Sequence, residues 1–400
     1  MTTWDLAIVG AGPAGSAAAI GALQVDPSLR VALLDRATFP RDKSCGDGIA
    51  PQVIDLLDQA GVPSVVEGRQ AVPRLRLRRG AQAVDRPMAR STWVIPRKEF
   101  DHHLVSAAQT AGAELRHERV REVRAVHAEG IVRLDGEHEA RIVVGADGAH
   151  SVVRRALGLR PGPMAVALRG YAPTPAGRAG AQVIVFDIAR QPAYAWSFDR
   201  GDGLSNVGYG ELLDRRGSRL TRARLLERLD VLLPGASVDG VGWLGHQLPL
   251  STGRWRPGPG PVLLAGDAAG LVNPMTGEGI YYAVATGLAA GRAAAEALAV
   301  GLPSSAGSRY ASAIGPLLDR HLRHIRFAGW LCRRGSVIDA GLRASSSHQR
   351  VFDDLVELGL ARGRITPAMA RGLVRELAAG AVRRPTLNPT HDEEPASCES

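Results

Sequence analysis

The chain has 400 residues, 45% of them hydrophobic, enough to bury a large core and suited to two closely connected domains rather than a string of small modules. Its formal charge of +9 is almost all arginine, since lysine occurs only at Lys43 and Lys98. The arginines are scattered and only 4% of residues are aromatic, which argues against nucleic acid; a polyanionic cofactor, a pyrophosphate-bearing substrate or an acidic membrane surface fits the sign equally well.

In chain order, Asp5 to Val9 reads as a strand, Gly10 to Gly15 as a glycine-rich turn, and the alanine-rich stretch to about Gln24 as a helix. Because the chain enters this strand with no apolar leader, a cytoplasmic location is expected. A second strand, Arg30 to Leu34, ends at Asp35. Beyond Ala60, alternation through Leu75, Leu77 and Val84 predicts strands of another sheet. A helix from Lys98 to about Ala111 precedes strands at Val120 to Val126, Ile131 to Leu134 and Arg141 to Val144. Between Pro161 and Leu250 the pattern is mostly short strands, with one helix near Arg222 to Leu233. Strand Pro261 to Ala265 leads to a helix from Gly277 to Leu298, in which Arg292 and Glu296 argue against a membrane span. From Arg309 to about Ala379 the pattern is helical, and the Pro/Glu/Ser tail after Arg383 is expected to be disordered. Cys45, Cys332 and Cys398 have neither disulfide-framework nor zinc-ligand spacing. His321 and His324 share a helix face but lack a ligand partner, so surface histidines are expected there. Gly287 and Gly291 are expected to let their helix sit close to the sheet.

The chemistry begins with Gly10, Gly12 and Gly15, a G-x-G-x-x-G between strand and helix. The first glycine permits the tight turn, the second admits a pyrophosphate close to the backbone, and the third lets helix and strand pack. The helix start offers aligned N–H groups to the phosphates, and Asp35, 20 residues beyond Gly15, stands where a carboxylate takes the adenosine ribose hydroxyls. This pattern alone does not separate FAD from NAD(P). A second segment, Val262 to Ile280, ends an apolar strand in Gly266-Asp267 and passes through a Pro/Gly-rich loop into a long helix. Asp267 can hold a ribityl hydroxyl, and the Gly277 to Ile280 amides can stabilise negative charge on a reduced isoalloxazine.

Together the two segments resemble the FAD superfamily of aromatic hydroxylases, flavin halogenases and geranylgeranyl reductases, over roughly Met1 to Leu298. Arg97-Lys-Glu-Phe-Asp101-His-His-Leu104 and Val144-Gly-Ala-Asp147-Gly148 are similar to two more of its elements. The resemblance implies that Arg97 and Asp147 lie at the cofactor; read from the residues alone, Arg97 can be a helix-start ion pair and Asp147 a cap on the following turn. Pro40-Arg-Asp-Lys43-Ser-Cys45-Gly46-Asp47-Gly48 is similar to the P-R-x-K-x-C-G-G-G loop of the geranylgeranyl reductase family, with Asp47 in place of the middle glycine. Tyr194-Ala-Trp196-Ser-Phe198-Asp199 followed by Gly208-Tyr-Gly210 is similar to that family's Y-x-W-x-F-P and G-x-G, with Asp199 in place of proline. Alternation puts Tyr194, Trp196 and Phe198 on one face of a strand, either an aromatic wall for an isoprenoid chain or an ordinary core strand.

The fold so implied is α/β: a Rossmann-like FAD-binding domain in three pieces (1–60, 97–160 and 251–300), an inserted, mainly antiparallel β-sheet substrate domain (61–96 and 161–250), a C-terminal helical region (301–382) and a tail (383–400). The cofactor-binding set is Gly10, Gly12, Ala14, Gly15, Asp35, Arg36, Cys45, Gly46, Gly48, Arg97, Val120, Asp147, Asp267, Pro274, Gly277, Gly279 and Ile280, with Tyr194, Trp196 and Phe198 for substrate. The implied activity is reduction of prenyl C=C bonds by FAD, supplied with electrons by NAD(P)H or another reductant. Cys45 is expected near the proton transfer, although a small buried loop residue explains it as well. The implied partner is a small molecule or lipid, with peripheral membrane contact open, and the alternative activity is FAD-dependent monooxygenation of an aromatic or polyketide-like compound.

Overall fold

The computed structural model describes residues 1–126, 130–213, 220–253 and 255–382. The chain begins with β1 (Thr2–Val9), α1 (Pro13–Val25), β2 (Val31–Asp35), β3 (Gly48–Ile49), α2 (Pro51–Gln59), β4 (Val72–Arg79) and β5 (Gln82–Val94). It continues through α3 (Arg97–Thr110), β6 (Glu114–His117), β7 (Val123–Val126), β8 (Ile131–Leu134), β9 (His138–Gly145) and α4 (Val152–Ala156). The middle holds β10 (Met164–Pro173), β11 (Ala181–Phe186), β12 (Ala193–Asp199), β13 (Leu204–Leu212), α5 (Arg222–Leu232) and β14 (Val241–Pro249). Last come β15 (Val262–Leu264), α6 (Ile280–Ala299), α7 (Ala306–Leu331), α8 (Gly335–Ser347), α9 (Gln349–Leu360) and α10 (Pro367–Val382).

The first sheet has the order β6-β2-β1-β9-β8-β7, with β15 also paired to β9; all its pairs are parallel except those within β7, β8 and β9. Its central strands β1, β2, β9 and β15 are apolar at successive positions because both faces are covered. Leu6, Ile8, Leu33 and Val144 feed the core shared with α1 and α6, whereas Ala7, Val9, Leu34 and Val143 feed the smaller core on the other face. The strand expected from Val120 begins only at Val123. The Arg121 and Glu122 amides instead donate to the Asp135 carboxylate, at 3.0 and 2.6 Å, which holds the chain off a neighbouring strand.

Helix α1 starts with Pro13 in its first turn, where the missing N–H costs nothing, and is buried along nearly its whole length. It lies against α6 with almost no side chain between them. A Cβ on Gly287 or Gly291 would overlap the carbonyl oxygens of Ala14 and Ala18, and one on Gly21 would lie 2.5 Å from Leu288 O. The two glycines expected to admit the sheet therefore admit another helix.

The second sheet has the order β14-β10-β13-β12-β11-β4-β5-β3, antiparallel at every pair except β11 with β4. Leu75, Leu77, Val84 and Met88 of this sheet pack against Ile338, Leu342 and Phe352 of α8 and α9. His321, expected on the surface, is 1% exposed: its ring bonds Tyr282 Oη at 2.6 Å and Gly363 O at 2.7 Å, tying α7 to α6 and to the segment after α9. Among the described residues no helix is long and apolar enough to cross a membrane. The tail 383–400 lies outside the described residues.

Candidate active site

A cavity of about 1250 Å³ is bounded by both sheets and the C-terminal helices; its lining runs from Gly10, Gly12, Asp35 and Arg36 to Leu373 and Leu377. At the nucleotide end, Gly10 has φ +100°, a conformation costly for any residue with a Cβ, which here would also fall within 2.4–2.9 Å of Ala146 and Asp147 backbone. Gly12 faces open space, where the nearest atom to an added Cβ is Arg41 Nη2 at 3.4 Å. No side chain caps α1, so its first amides remain for an anion. Asp35 receives the Ala11 and Ala37 amides, both at 2.8 Å, and so fixes the glycine turn from behind. Ala14, Arg36 and Val120 share this lining, as does Arg41, whose guanidinium pairs with Asp101 at 3.1 Å. A Cβ-free cradle, open amides and arginines together fit a dinucleotide pyrophosphate.

Asp147 both holds the turn and lines the cavity. Its Oδ2 receives the Val152 amide at 2.5 Å and caps α4, while Oδ1 is buried without a partner among the described residues, on a side chain lining the cavity. Burial raises its pKa. Arg97, at the start of α3, is buried and binds Asp101 through two bonds of 2.6 and 2.7 Å. Burial opposes its charge, but Asp101 more than offsets this and the guanidinium stays ionised. It still lines the cavity beside Cys45.

The Cys45 loop is stitched to the second sheet: Gly48 and Ile49 pair with Val94 and Trp93, and Asn206 Nδ2 donates to Cys45 O at 2.8 Å. Cys45, Gly46 and Gly48 line the cavity. Asp47, the departure from the family glycine, has φ +59°, the left-handed region that glycine enters freely and Asp tolerates. Its carboxylate is fully buried and accepts from Tyr171 Oη at 2.6 Å and Asn206 Nδ2 at 2.8 Å. Burial lifts its pKa to about 6 against those two bonds. Asp199, the other departure, receives the Gly180 and Gly201 amides at 2.6 and 3.0 Å and fixes two turns.

Tyr194, Trp196 and Phe198 form a row along β12, with ring centroids 6.0 and 6.5 Å apart, and all three line the cavity. Tyr194 Oη donates to Thr276 O, joining the row to the loop before α6. The cross-strand partners of Tyr194 and Trp196 are Gly210 and Gly208, which explains the spacing of the two motifs. The Trp196 ring lies over Gly208, where a Cβ would overlap both the ring and Leu168 O. Gly208→Ala is therefore expected to destabilise the protein by about 1–3 kcal/mol, as overpacking against backbone does, read as a lowered thermal midpoint; an unchanged midpoint would contradict this packing.

In the loop before α6, Pro274, Gly277, Gly279 and Ile280 also line the cavity. Gly277 has φ +75° and its amide donates to Asn273 O at 2.9 Å, so it shapes the loop. Asp267 lies 3.3 Å from Lys43 Nζ; burial works against its charge, but Lys43 and His246 outweigh it and hold the carboxyl below its usual range.

Two residues at the site carry no assignment from sequence. Glu278 is a carboxylate between two glycines at the mouth of α6, and its Oε1 receives the Tyr281 amide at 2.8 Å. Burial raises its pKa to about 7 despite that bond, and its charge acts on both Cys45 and Tyr194. A lone acid in a glycine-rich helix start was the available signal. His246 on β14 has a buried Nε2 without a partner among the described residues, and burial, then Lys43, holds its pKa down to about 4. Nothing in the alternation of β14 marks it.

The fold and this cavity define an FAD-dependent oxidoreductase. Residues 3–187 match the FAD binding domain family model. The chain is 33% identical over 346 residues to a menaquinone reductase of Mycolicibacterium smegmatis, covering 80% of this chain and 81% of the relative. It is 34% identical over 318 residues to a geranylgeranyl diphosphate reductase of Rhodobacter capsulatus, covering 75% and 77%. A geranylgeranyl bacteriochlorophyll reductase-like protein of Thermoplasma acidophilum shares the fold with a TM-score of 0.75 at 22% identity, over 94% of this chain and 96% of that one. The chain belongs to the geranylgeranyl reductase family of FAD-dependent oxidoreductases.

Proposed function

We propose that this chain saturates C=C bonds of a prenyl chain, geranylgeranyl- or menaquinone-like, inside this cavity. The observation that carries the reading is continuity: the lining passes from the Gly12 cradle, by Cys45 and the aromatic row, to Leu75, Leu77, Met88, Ile338, Leu342 and Leu373. At about 1250 Å³ it exceeds the roughly 300–1,000 Å³ that a single small ligand occupies, leaving space for a cofactor and an extended apolar chain together. The relatives named as menaquinone reductase and geranylgeranyl diphosphate reductase support the substrate class.

Saturating one C=C bond takes a hydride at one carbon and a proton at the other. When bound and reduced, FAD supplies the hydride, with NAD(P)H or another reductant renewing it. The protein's part is to hold the chain along Tyr194, Trp196 and Phe198, exclude water, and deliver the proton. Glu278 suits that last role, since an acid with a pKa of about 7 is both protonated and willing to donate near neutrality. Cys45 is the second candidate; burial pushes its thiol up, with Arg97 opposing, so it stays protonated but is a weaker acid. On this assignment Cys45→Ser lowers single-turnover reduction by less than about tenfold, and a larger loss at unchanged FAD content would move the proton to Cys45.

The test is chain-length dependence. Titrating the flavin-loaded protein with prenyl alcohols of increasing isoprene count, followed by the visible flavin spectrum, should show tighter binding with each added unit until the channel is filled. Preference for compact aromatic molecules with no response to chain length would overturn the reading in favour of a monooxygenase-type substrate.

A further inference from the structure

We propose that the exposed face of α7, with α10 lining the same opening, seats the mouth of the cavity on an anionic membrane surface. Phe327 and Val374 are 51% and 66% exposed, yet both line the cavity, so they mark its opening. On α7 and the turn after it, Arg323, Arg326, Phe327, Trp330, Arg333 and Arg334 are all exposed, at positions spaced three, four, seven, ten and eleven from the first, which is one helix face. Trp330 is 50% exposed, its ring stacked on Phe327 at 5.9 Å between centroids and covered by the Arg334 guanidinium at 4.5 Å. Arg371 and Arg375 flank Val374 on α10.

Charge gives the occupant. Among the described residues none of these arginines has a carboxylate partner, while the nearby acids Asp319 and Glu376 are paired with Arg256 and Arg343. Unpaired arginines around exposed Trp and Phe form the pattern of a helix lying in a lipid interface, where the guanidinium stems reach phosphates and the rings enter the headgroup boundary. A soluble acidic partner would leave the aromatic pair without a function. Since no described helix can cross a bilayer, the contact is with its surface. The inference rests on the prenyl reading above, because a chain held in a bilayer can then enter the cavity without crossing water.

The test is flotation of the full, flavin-loaded chain with vesicles of phosphatidylcholine alone and with one-third phosphatidylglycerol. The expected result is binding to the anionic vesicles, release by high salt, and a loss of about tenfold or more in both Trp330→Glu and the double variant Arg323→Glu/Arg334→Glu. Reduction of a detergent-dispersed prenyl substrate should be unchanged in these variants, whose altered side chains do not line the cavity. No binding to anionic vesicles, or binding indifferent to the variants, would overturn the proposal. So would sedimentation showing a dimer that Trp330→Glu converts to monomer, which would assign the face to a second copy. Vesicle binding without any prenyl reduction would overturn the prenyl reading instead and leave the surface standing.

Discussion

Glu278→Gln is expected to slow anaerobic single-turnover reduction of a prenyl substrate by about 10²–10⁴-fold, the range a positioned acid contributes, with FAD content unchanged. Glutamine keeps the shape and an oxygen for the Tyr281 amide, so the start of α6 should persist, and what is lost is the proton. In the wild type the rate should fall as pH rises through about 7, where Glu278 ionises, and the variant should lack that limb. Stability gives a readout independent of turnover. The carboxyl is raised from 4.5 to about 7 on folding, so its protonation favours the folded state fully below 4.5, and this contribution is lost as pH rises to about 7. The difference in stability between wild type and Glu278→Gln should therefore shift against the wild type between pH 4.5 and 7 and level off above. A flat difference, or a variant with wild-type rate, would remove Glu278 from the proton path.

Gly12→Ala and Gly15→Ala are expected to fail in different ways, although they lie three residues apart in one motif. A Cβ on Gly15 would overlap Gly10 O and stand 2.9 Å from Gly10 C, backbone that cannot move without parting α1 from β1. Gly15→Ala should therefore lose roughly 3 kcal/mol or more of stability and its flavin with it. A Cβ on Gly12 meets only the flexible end of Arg41, at 3.4 Å, so the apoprotein should melt as the wild type does. If Gly12 forms the phosphate cradle, this Cβ would meet the pyrophosphate, and FAD affinity should drop at least about tenfold, measured by the flavin-to-protein absorbance ratio on dilution. If Gly12→Ala retained flavin like the wild type, the phosphate cradle would lie elsewhere.

This contrast shows which parts of the molecule were legible in the sequence. The Gly10–Gly15 turn was readable because turn chemistry is local, and β1, α1, β2 and α5 fall within a few residues of their expected bounds, whereas the hold of Asp35 on the Ala11 and Ala37 amides was not foreseen. The aromatic row was readable because strand residues alternate, so Tyr194, Trp196 and Phe198 had to share a face. What was not readable depends on partners distant in sequence. Asp47 looked like a weakening departure, yet Tyr171 and Asn206, more than a hundred residues away, donate to its carboxylate at a left-handed position it can occupy. Gly287 and Gly291 announced close packing, expected against the sheet, and α1 proved to be the neighbour instead. The parallel pairing of β11 with β4 likewise leaves no local trace. Glu278 escaped notice because a lone acid in a glycine-rich helix start does not show what surrounds it, and His321 moved from surface to core because burial leaves no mark in spacing.

The most direct measurement is product analysis after anaerobic reduction. The purified protein is reduced with dithionite, freed of excess reductant and mixed with geranylgeranyl diphosphate, a geranylgeranylated lipid or menaquinone, while flavin absorbance and product mass are followed together. Flavin reoxidation matched by a gain of two hydrogens per turnover on the prenyl chain is the expected result. Reduced flavin that ignores every prenyl compound, yet reacts rapidly with oxygen and hydroxylates an aromatic substrate, would contradict it.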